Sequence, residues 1–260
     1  MSKIYFFSDV HLGAHSEELE KRKEQRLVSF LQMVEKEDAE LVIVGDLFDF
    51  WFEYKTVVPR RHLRVLGLLS LLSARHKVYY TAGNHDFWLD SFMSHEIGLS
   101  IHEHDLVLEN GGRRIYITHG DGLLKTDHGY RLLKRVLRNK MNIVLYQLLH
   151  PDIGIPLALF FSNLSRSSRE KKSTVYMDDD YREYAQEKID AGYDMVVLGH
   201  THWAALAPYK NGHYINPGFW GMDYTYAVVD NGEPGLYVWN GEKGIPHSPT
   251  FPPGNRKFII

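Results

Sequence analysis

Val42-Ile43-Val44-Gly45-Asp46-Leu47-Phe48-Asp49-Phe50 is the stretch that decides the fold class. Its apolar, β-branched start has the pattern of a buried strand, and the run stops abruptly at Gly45-Asp46. Alone, Gly-Asp after a strand is an ordinary turn. Four other strand-like runs end in the same way. Ile4 to Ser8 leads into Asp9-Val10-His11, and Val78 to Ala82 into Gly83-Asn84-His85-Asp86. Ile115 to Thr118 leads into His119-Gly120-Asp121, and Met195 to Leu198 into Gly199-His200-Thr201-His202. Five runs ending in Asp, Asn or His describe a metal site at the rim of a sheet, where open α/β folds carry their chemistry.

Outward from that rim, 260 residues at 44% hydrophobic suffice for one domain with a sizeable core. There is no cysteine, which excludes disulfides, thiolate ligands and cysteine nucleophiles. The opening apolar run, Ile4 to Phe7, is too short for a signal peptide, and no segment is long enough to span a bilayer. The expected place is the cytoplasm, or a membrane surface on that side. Net charge is −3, but Gly122 to Lys172 holds ten Lys/Arg and three Asp/Glu. That +7 block leaves −10 on the rest, with no basic face expected outside it.

The elements alternate. A strand at Ile4–Ser8 precedes a helix over Ser16–Glu37, a strand at Leu41–Val44 and a helix over Pro59–His76 with Leu63, Leu66, Leu69 and Leu72 on one side. Strand Val78–Ala82 precedes a short helix near Leu89–Glu96. Strands near Leu106–Glu109 and Arg114–Thr118 flank a Gly111-Gly112 turn. Helix Asp180–Ala191 leads to strand Met195–Leu198, then short strands near His213–Asn216, Tyr226–Val229 and Leu236–Trp239. The order predicts an α/β fold, a layered β-sandwich flanked by helices. It forms one domain, residues 1–260, with a helical insertion at 122–175. Inside the insertion, Leu133, Leu137, Met141, Val144 and Leu148 form one apolar helical stripe. Ile153 to Leu164 is more apolar still, with Pro151, Gly154 and Pro156 expected to interrupt it.

Asp, Asn and His without Cys suit Mn²⁺, Fe²⁺ or Zn²⁺. Seven such residues, Asp9, His11, Asp46, Asn84, His119, His200 and His202, exceed the needs of one ion and suffice for two if Asp46 bridges. Two ions roughly 3.5–4 Å apart hold a bridging hydroxide and clamp an in-line displacement at phosphorus. His15, His62, His76, His95, His102, His104 and His213 stand outside the motifs and are expected to be structural or surface residues.

The ordered set Asp-x-His, Gly-Asp-x-x-Asp, Gly-Asn-His-Asp, His-Gly-Asp and Gly-His-Thr-His resembles the calcineurin-like metallophosphoesterases. The resemblance runs from Ile4 to about Val229. It implies Asp9, His11, Asp46 and His202 on one ion and Asp46, Asn84, His119 and His200 on the other. It places His85 at the phosphate or leaving oxygen, oriented by Asp49. The insertion is similar to that of the UDP-2,3-diacylglucosamine pyrophosphatases of lipid A synthesis, whose substrate contacts match Asn84, Asp127, Ser165, Lys172 and His200, with His85 and Arg169 as further substrate-binding candidates. Two positions depart from that pattern: His85 replaces an arginine and Arg169 an asparagine. The resemblance implies cleavage of a glycolipid nucleotide diphosphate to UMP and a diacylated sugar phosphate, with two ions, manganese first. The insertion leaves after His119 and returns before His200, and its apolar stripe and +7 charge predict a lid that binds lipid and rests on the cytoplasmic face of the inner membrane. No nucleic-acid partner is expected. A different phosphoesterase of the same fold, or a non-catalytic scaffold, are the alternatives.

Overall fold

A computed structural model describes residues 3–123, 134–169 and 177–248. Twelve strands, β1 to β12 in chain order, form two sheets among these residues. The larger runs β12-β11-β10-β1-β2-β3-β4 and the smaller β5-β6-β7-β9-β8. In the larger, β1 (Ile4–Phe7), β2 (Glu40–Ile43), β3 (Val78–Thr81) and β4 (Ser100–His102) are mutually parallel. In the smaller, β6 (Arg113–Thr118), β7 (Met195–Leu198) and β9 (Gly212–Asn216) are parallel too. The remaining strands are β5 (Leu106–Asn110), β8 (Ala205–Tyr209), β10 (Thr225–Asp230), β11 (Glu233–Trp239) and β12 (Gly244–Pro246).

Alternation of side chains sets the layers. In β1, Ile4 and Phe6 turn towards the second sheet with Val42, Val44, Ile115 and Val197, and Tyr5 and Phe7 turn the other way. There they meet α1 (Glu17–Lys36) and α2 (Leu63–Ser73) through Leu27, Phe30, Leu31 and Leu69. The far face of the small sheet is covered through Tyr181 and Ala185 of α5 (Met177–Asp190). Every layer is thus buried on the side that faces another, the α/β sandwich expected from the sequence. Phe30, fully buried, packs on Trp220 and Tyr226 with ring centroids 4.5 and 4.9 Å away.

Several elements differ from expectation. The middle strand of the large sheet is β1, between β10 and β2. Helix α2 starts at Leu63, not Pro59, because His62 is left-handed (φ 67°) and cannot extend a right-handed helix. Leu63 is consequently exposed, whereas Leu66, Leu69 and Leu72 are buried. The short helix near Leu89 is a single π-type turn, Phe92–Glu96. The stripe from Leu133 is not one helix: Leu133 lies outside the described residues, and the chain breaks before α3 (Lys140–Gln147). Asn139 caps α3, its side-chain oxygen accepting from the Met141 N–H at 2.9 Å. Helix α4 (Pro151–Arg169) runs through Gly154 and Pro156 instead of being interrupted. Pro151 is its first residue, where a missing N–H costs nothing, and Pro156 forfeits one backbone bond. Among the described residues no helix is long and apolar enough to cross a membrane.

Candidate active site

The C-terminal ends of β1, β2, β3, β6 and β7 converge, and the loops that leave them are tied to one another. Asp9 N–H donates to the Gly45 carbonyl, Val10 and His11 N–H to that of Asp46, and Leu12 N–H to that of Leu47. Within the smaller sheet Gly199 N–H donates to the His119 carbonyl at 3.0 Å, and across the sheets His200 N–H donates to Asp9 Oδ2 at 3.0 Å. Asp9, His11, Asp46, His200 and His202 all have positive φ, between 47° and 67°. For non-glycine residues this is a costly conformation that clusters at functional sites.

Two groups result. Asp9, His11 and His202 form one, and Asp46, His119 and His200 the other, each with donor atoms within 4.8 Å of one another. Asn84 joins the second through Oδ1, 3.3 Å from His119 Nε2. Asp46 Oδ2 lies between the groups, 3.8 Å from His11 Nε2 and 3.3 Å from His119 Nε2. Its other oxygen accepts the His85 backbone N–H at 2.9 Å. All seven residues singled out from the sequence therefore meet in one place.

The donor set fits divalent cations. Asp9 Oδ1 is buried with no hydrogen-bond donor among the described residues, and its nearest nitrogen partner is His202 Nε2 at 3.3 Å. His11 Nε2 and His202 Nε2 are 3.1 Å apart, two basic nitrogens turned on one point. Such acceptors are satisfied by a cation. His119 Nδ1 lies 2.8 Å from the Val44 carbonyl, which places its proton there and leaves Nε2 as the free ligand atom. Burial works against the His119 imidazolium, but Asp46 and Asp9 outweigh it and push its pKa up to about 10. Burial also opposes the Asp9 carboxylate, yet His202 and His119 hold it below the ordinary range.

His85 and Asp49 adjoin the first group. His85 Nδ1 is 3.0 Å from the Asp49 carbonyl and 3.4 Å from Asp49 Oδ1. The same carboxylate oxygen is 3.6 Å from His11 Nδ1. From the insertion, Ser162 Oγ comes within 3.3 Å of both Asp49 oxygens and of His85 Nδ1. Helix α4 thus reaches the site. Ser165 and Arg169 belong to that helix by backbone, and their side chains are outside the described residues, as are Asp127 and Lys172 altogether.

Several supporting residues carry no sequence signal that separates them from ordinary core or helix positions. Asp86 is fully buried and accepts the N–H groups of Asp46, Phe48 and Gly83 and the Tyr80 hydroxyl, clamping two motif loops together. Burial and the Asp46 charge push its carboxyl up to about 6. Phe219 stacks on His202 with centroids 4.3 Å apart. Asn216 Nδ2 donates to the Gly199 carbonyl and to Thr201 Oγ1, fixing the turn that carries His200 and His202.

Lys23 of α1, though a lysine, is only 2% exposed. Its Nζ donates to the His11 carbonyl at 2.6 Å and pairs with Glu20 Oε1 at 2.7 Å. Glu20 in turn accepts the Gly13 and His15 backbone N–H groups. Burial opposes the Glu20 charge, but His15 and Lys23 outweigh it and hold the carboxyl down to about 2, against 4.5 ordinarily. Because the folded pKa lies below the unfolded one, the pair's contribution is complete above about 4.5 and is lost as pH falls through about 2. Glu20→Gln is expected to cost about 1–3 kcal/mol at neutral pH and to flatten the acid limb below pH 4.5. Urea midpoints across pH test this; an unchanged acid limb refutes it.

With this geometry in hand, sequence comparison identifies the family. The calcineurin-like phosphoesterase family model matches residues 2–204. The chain belongs to that family. It is a hydrolase of the metallophosphoesterase class. This phosphoesterase is 37% identical over 247 residues to the UDP-2,3-diacylglucosamine hydrolase of Porphyromonas gingivalis, covering 88% of this chain and 94% of that one. It is 29% identical to the enzyme of the same name from Proteus mirabilis, over 77% of this chain and 82% of its relative. Among solved structures, a phosphoesterase from E. coli matches at a TM-score of 0.46 and 17% identity, over 94% of this chain and 96% of that chain.

Proposed function

We propose that this phosphoesterase cleaves the diphosphate of UDP-2,3-diacylglucosamine, giving UMP and 2,3-diacylglucosamine 1-phosphate. The observation that carries the substrate is the 37% identity to a curated UDP-2,3-diacylglucosamine hydrolase over 94% of its length. Two divalent ions, manganese first, would be held by Asp9, His11, Asp46 and His202 and by Asp46, Asn84, His119 and His200. When bound, such ions supply Lewis acidity at phosphoryl oxygens and lower the pKa of water.

The residues of the chain do the rest. Asp46 offers Oδ2 to both groups while its Oδ1 is occupied by the His85 N–H, so it has one oxygen to share between the ions. His85, held at Nδ1 by the Asp49 carbonyl, is left with Nε2 to touch the phosphate or protonate the leaving oxygen. Asn84, His85, Asp127, Ser165, Arg169, Lys172 and His200 are the residues we assign to the substrate. Hydrolysis adds the oxygen of water to one phosphorus, breaks the bridging P–O bond and leaves a monophosphate on each product.

The segment 122–175 acts in this proposal as a lid over a lipid substrate, on the cytoplasmic face of the inner membrane. Supporting it, Met141, Val144, Leu145, Leu148, Ile153 and Phe160 are large, apolar and exposed. Ser162 links the same insertion to the His85–Asp49 pair.

A product assay on UDP-2,3-diacylglucosamine decides the substrate. UMP and the lipid monophosphate are the expected products. Turnover of an aryl phosphodiester without turnover of the lipid overturns the assignment. His85→Ala is expected to lower kcat by roughly 10²–10⁴-fold while metal content, measured by elemental analysis, stays that of the parent. Loss of metal in the variant makes His85 structural instead.

A further inference from the structure

Outside the insertion, the stretch Lys55-Thr56-Val57-Val58-Pro59-Arg60-Arg61-His62-Leu63-Arg64 holds four cations and no acid. The helix expected over Pro59–His76 covers only its second half. The stretch is instead a loop up to His62, since the left-handed His62 delays α2 until Leu63. Lys55, Arg60, Arg61 and Arg64 are exposed, as are Val57, Val58 and Leu63. Among the described residues none of these four cations makes an ion pair; the neighbouring acid Glu24 is 3.9 Å from His62. The expectation of no basic face outside the insertion is therefore corrected.

This limb is joined to the insertion. Gln147 Nε2 donates to the Glu53 carbonyl at 3.4 Å. Gly154 approaches Tyr54 so closely that an added Cβ would lie 2.6 Å from its hydroxyl. Between them is a cavity of about 320 Å³, with Tyr54, Lys55 and Val57 on one wall and Val144, Leu148 and Leu149 on the other. Val144 and Leu148 are themselves exposed, Leu148 at 78%. Two basic segments, +4 here and +7 in the insertion, leave −14 on the other residues. Positive charge is thus segregated into two neighbouring segments, and exposed aliphatic side chains accompany both.

We propose that residues 55–64 and the exposed face of α3 form one docking surface for an anionic lipid bilayer. The proposal deepens the membrane-lid reading above and rests on it. Arginine and lysine around protruding Val and Leu side chains suit the headgroup boundary, where cations meet anionic lipid and aliphatic groups enter the acyl region. A nucleic-acid strand would use the charges but gain little from the aliphatic groups, because its bases stack on aromatic rings. The added limb makes attachment two-sided, with the cavity mouth between the contacts.

The test uses the full chain, phosphatidylcholine vesicles with and without phosphatidylglycerol, and flotation at low and high salt. The parent is expected to float with the acidic vesicles at low salt and to be released by salt. Arg60→Gln/Arg61→Gln/Arg64→Gln should weaken binding by about fivefold per charge. Its rate on a soluble aryl phosphodiester should be that of the parent, since none of the three lies in the site. Leu148→Asp reports the lid separately. If Leu148→Asp releases the protein but the triple variant floats like the parent, the 55–64 limb is refuted and the lid stands. If the parent ignores acidic vesicles, both membrane assignments fall, and the product assay still judges the hydrolase. Retention of a single-stranded oligonucleotide through these arginines, without vesicle binding, also overturns the proposal.

Discussion

Asp46→Ala is expected to abolish measurable turnover and to leave the protein with less bound metal. Both donor groups depend on one atom, Asp46 Oδ2, which faces His11 Nε2 on one side and His119 Nε2 on the other. In the proposed two-ion site, removing it would take a ligand from each ion at once. It also takes the acceptor from the His85 backbone N–H, so the neighbouring loop loosens too. The loss should exceed the roughly 10–100-fold typical of residues that only orient a ligand. Asp46→Asn keeps an acceptor for His85 but lowers the negative charge between the groups, and should fall between parent and alanine variant in metal content. Turnover of an aryl phosphodiester and elemental analysis on the same samples check this. An alanine variant with full metal and near-parent rate refutes the shared-oxygen role.

Gly83→Ala should be almost as damaging, although the residue bears no chemistry. An added Cβ would sit 2.1 Å from Asp46 Oδ1 and 2.6 Å from Asp46 N. Both are at the centre of the site, and Asp46 cannot retreat: its N–H is held by Asp86, which also accepts from Gly83 itself. The expected result is a loss of about 100-fold or more in turnover, as for a misplacement of catalytic groups by about 1 Å. Gly67→Ala is the control. It lies in α2 with nothing within 4 Å of the added carbon, and should be neutral or stabilising by up to about 1 kcal/mol. A Gly83→Ala protein with parent turnover would show that the two loops can separate without cost.

The strand ends were legible because they combine two signals, a short β-branched run and a polar cluster that follows it. Five such pairs in one chain place their polar residues on a common rim, as Asp9, Asp46, Asn84, His119 and His200 show. Asp86 was visible as a letter in Gly-Asn-His-Asp, but its work is done by backbone N–H groups of other loops, which leave no trace in composition. Lys23 gives no signal for a different reason. Helical periodicity places it among charges, and only the fold reveals that it turns under the loop of His11. The start of α2 depended on the φ of His62, which no helical pattern encodes. The edge strands β4, β8 and β12 were missed: β4 and β12 have three residues each, too short for a period-2 signal, and β8 contains Pro208, which weakens a strand pattern. Proline misled at Pro59, where the helix begins only at Leu63, and at Pro156, which the helix runs through.

The insertion occupies a particular seam. It departs after β6 and the chain returns through α5 to β7, and those strands are parallel neighbours with Thr118 opposite Leu198. A parallel pair requires a long crossover in any case, and α5 already supplies its helix by packing against the small sheet. What lies between His119 and α5 can therefore lengthen, shorten or be exchanged without altering the register of either strand. The strand-end groups and the segment proposed to select the substrate thus stand on separate parts of the chain, so that under this proposal selectivity can diverge by cassette while the frame stays the same.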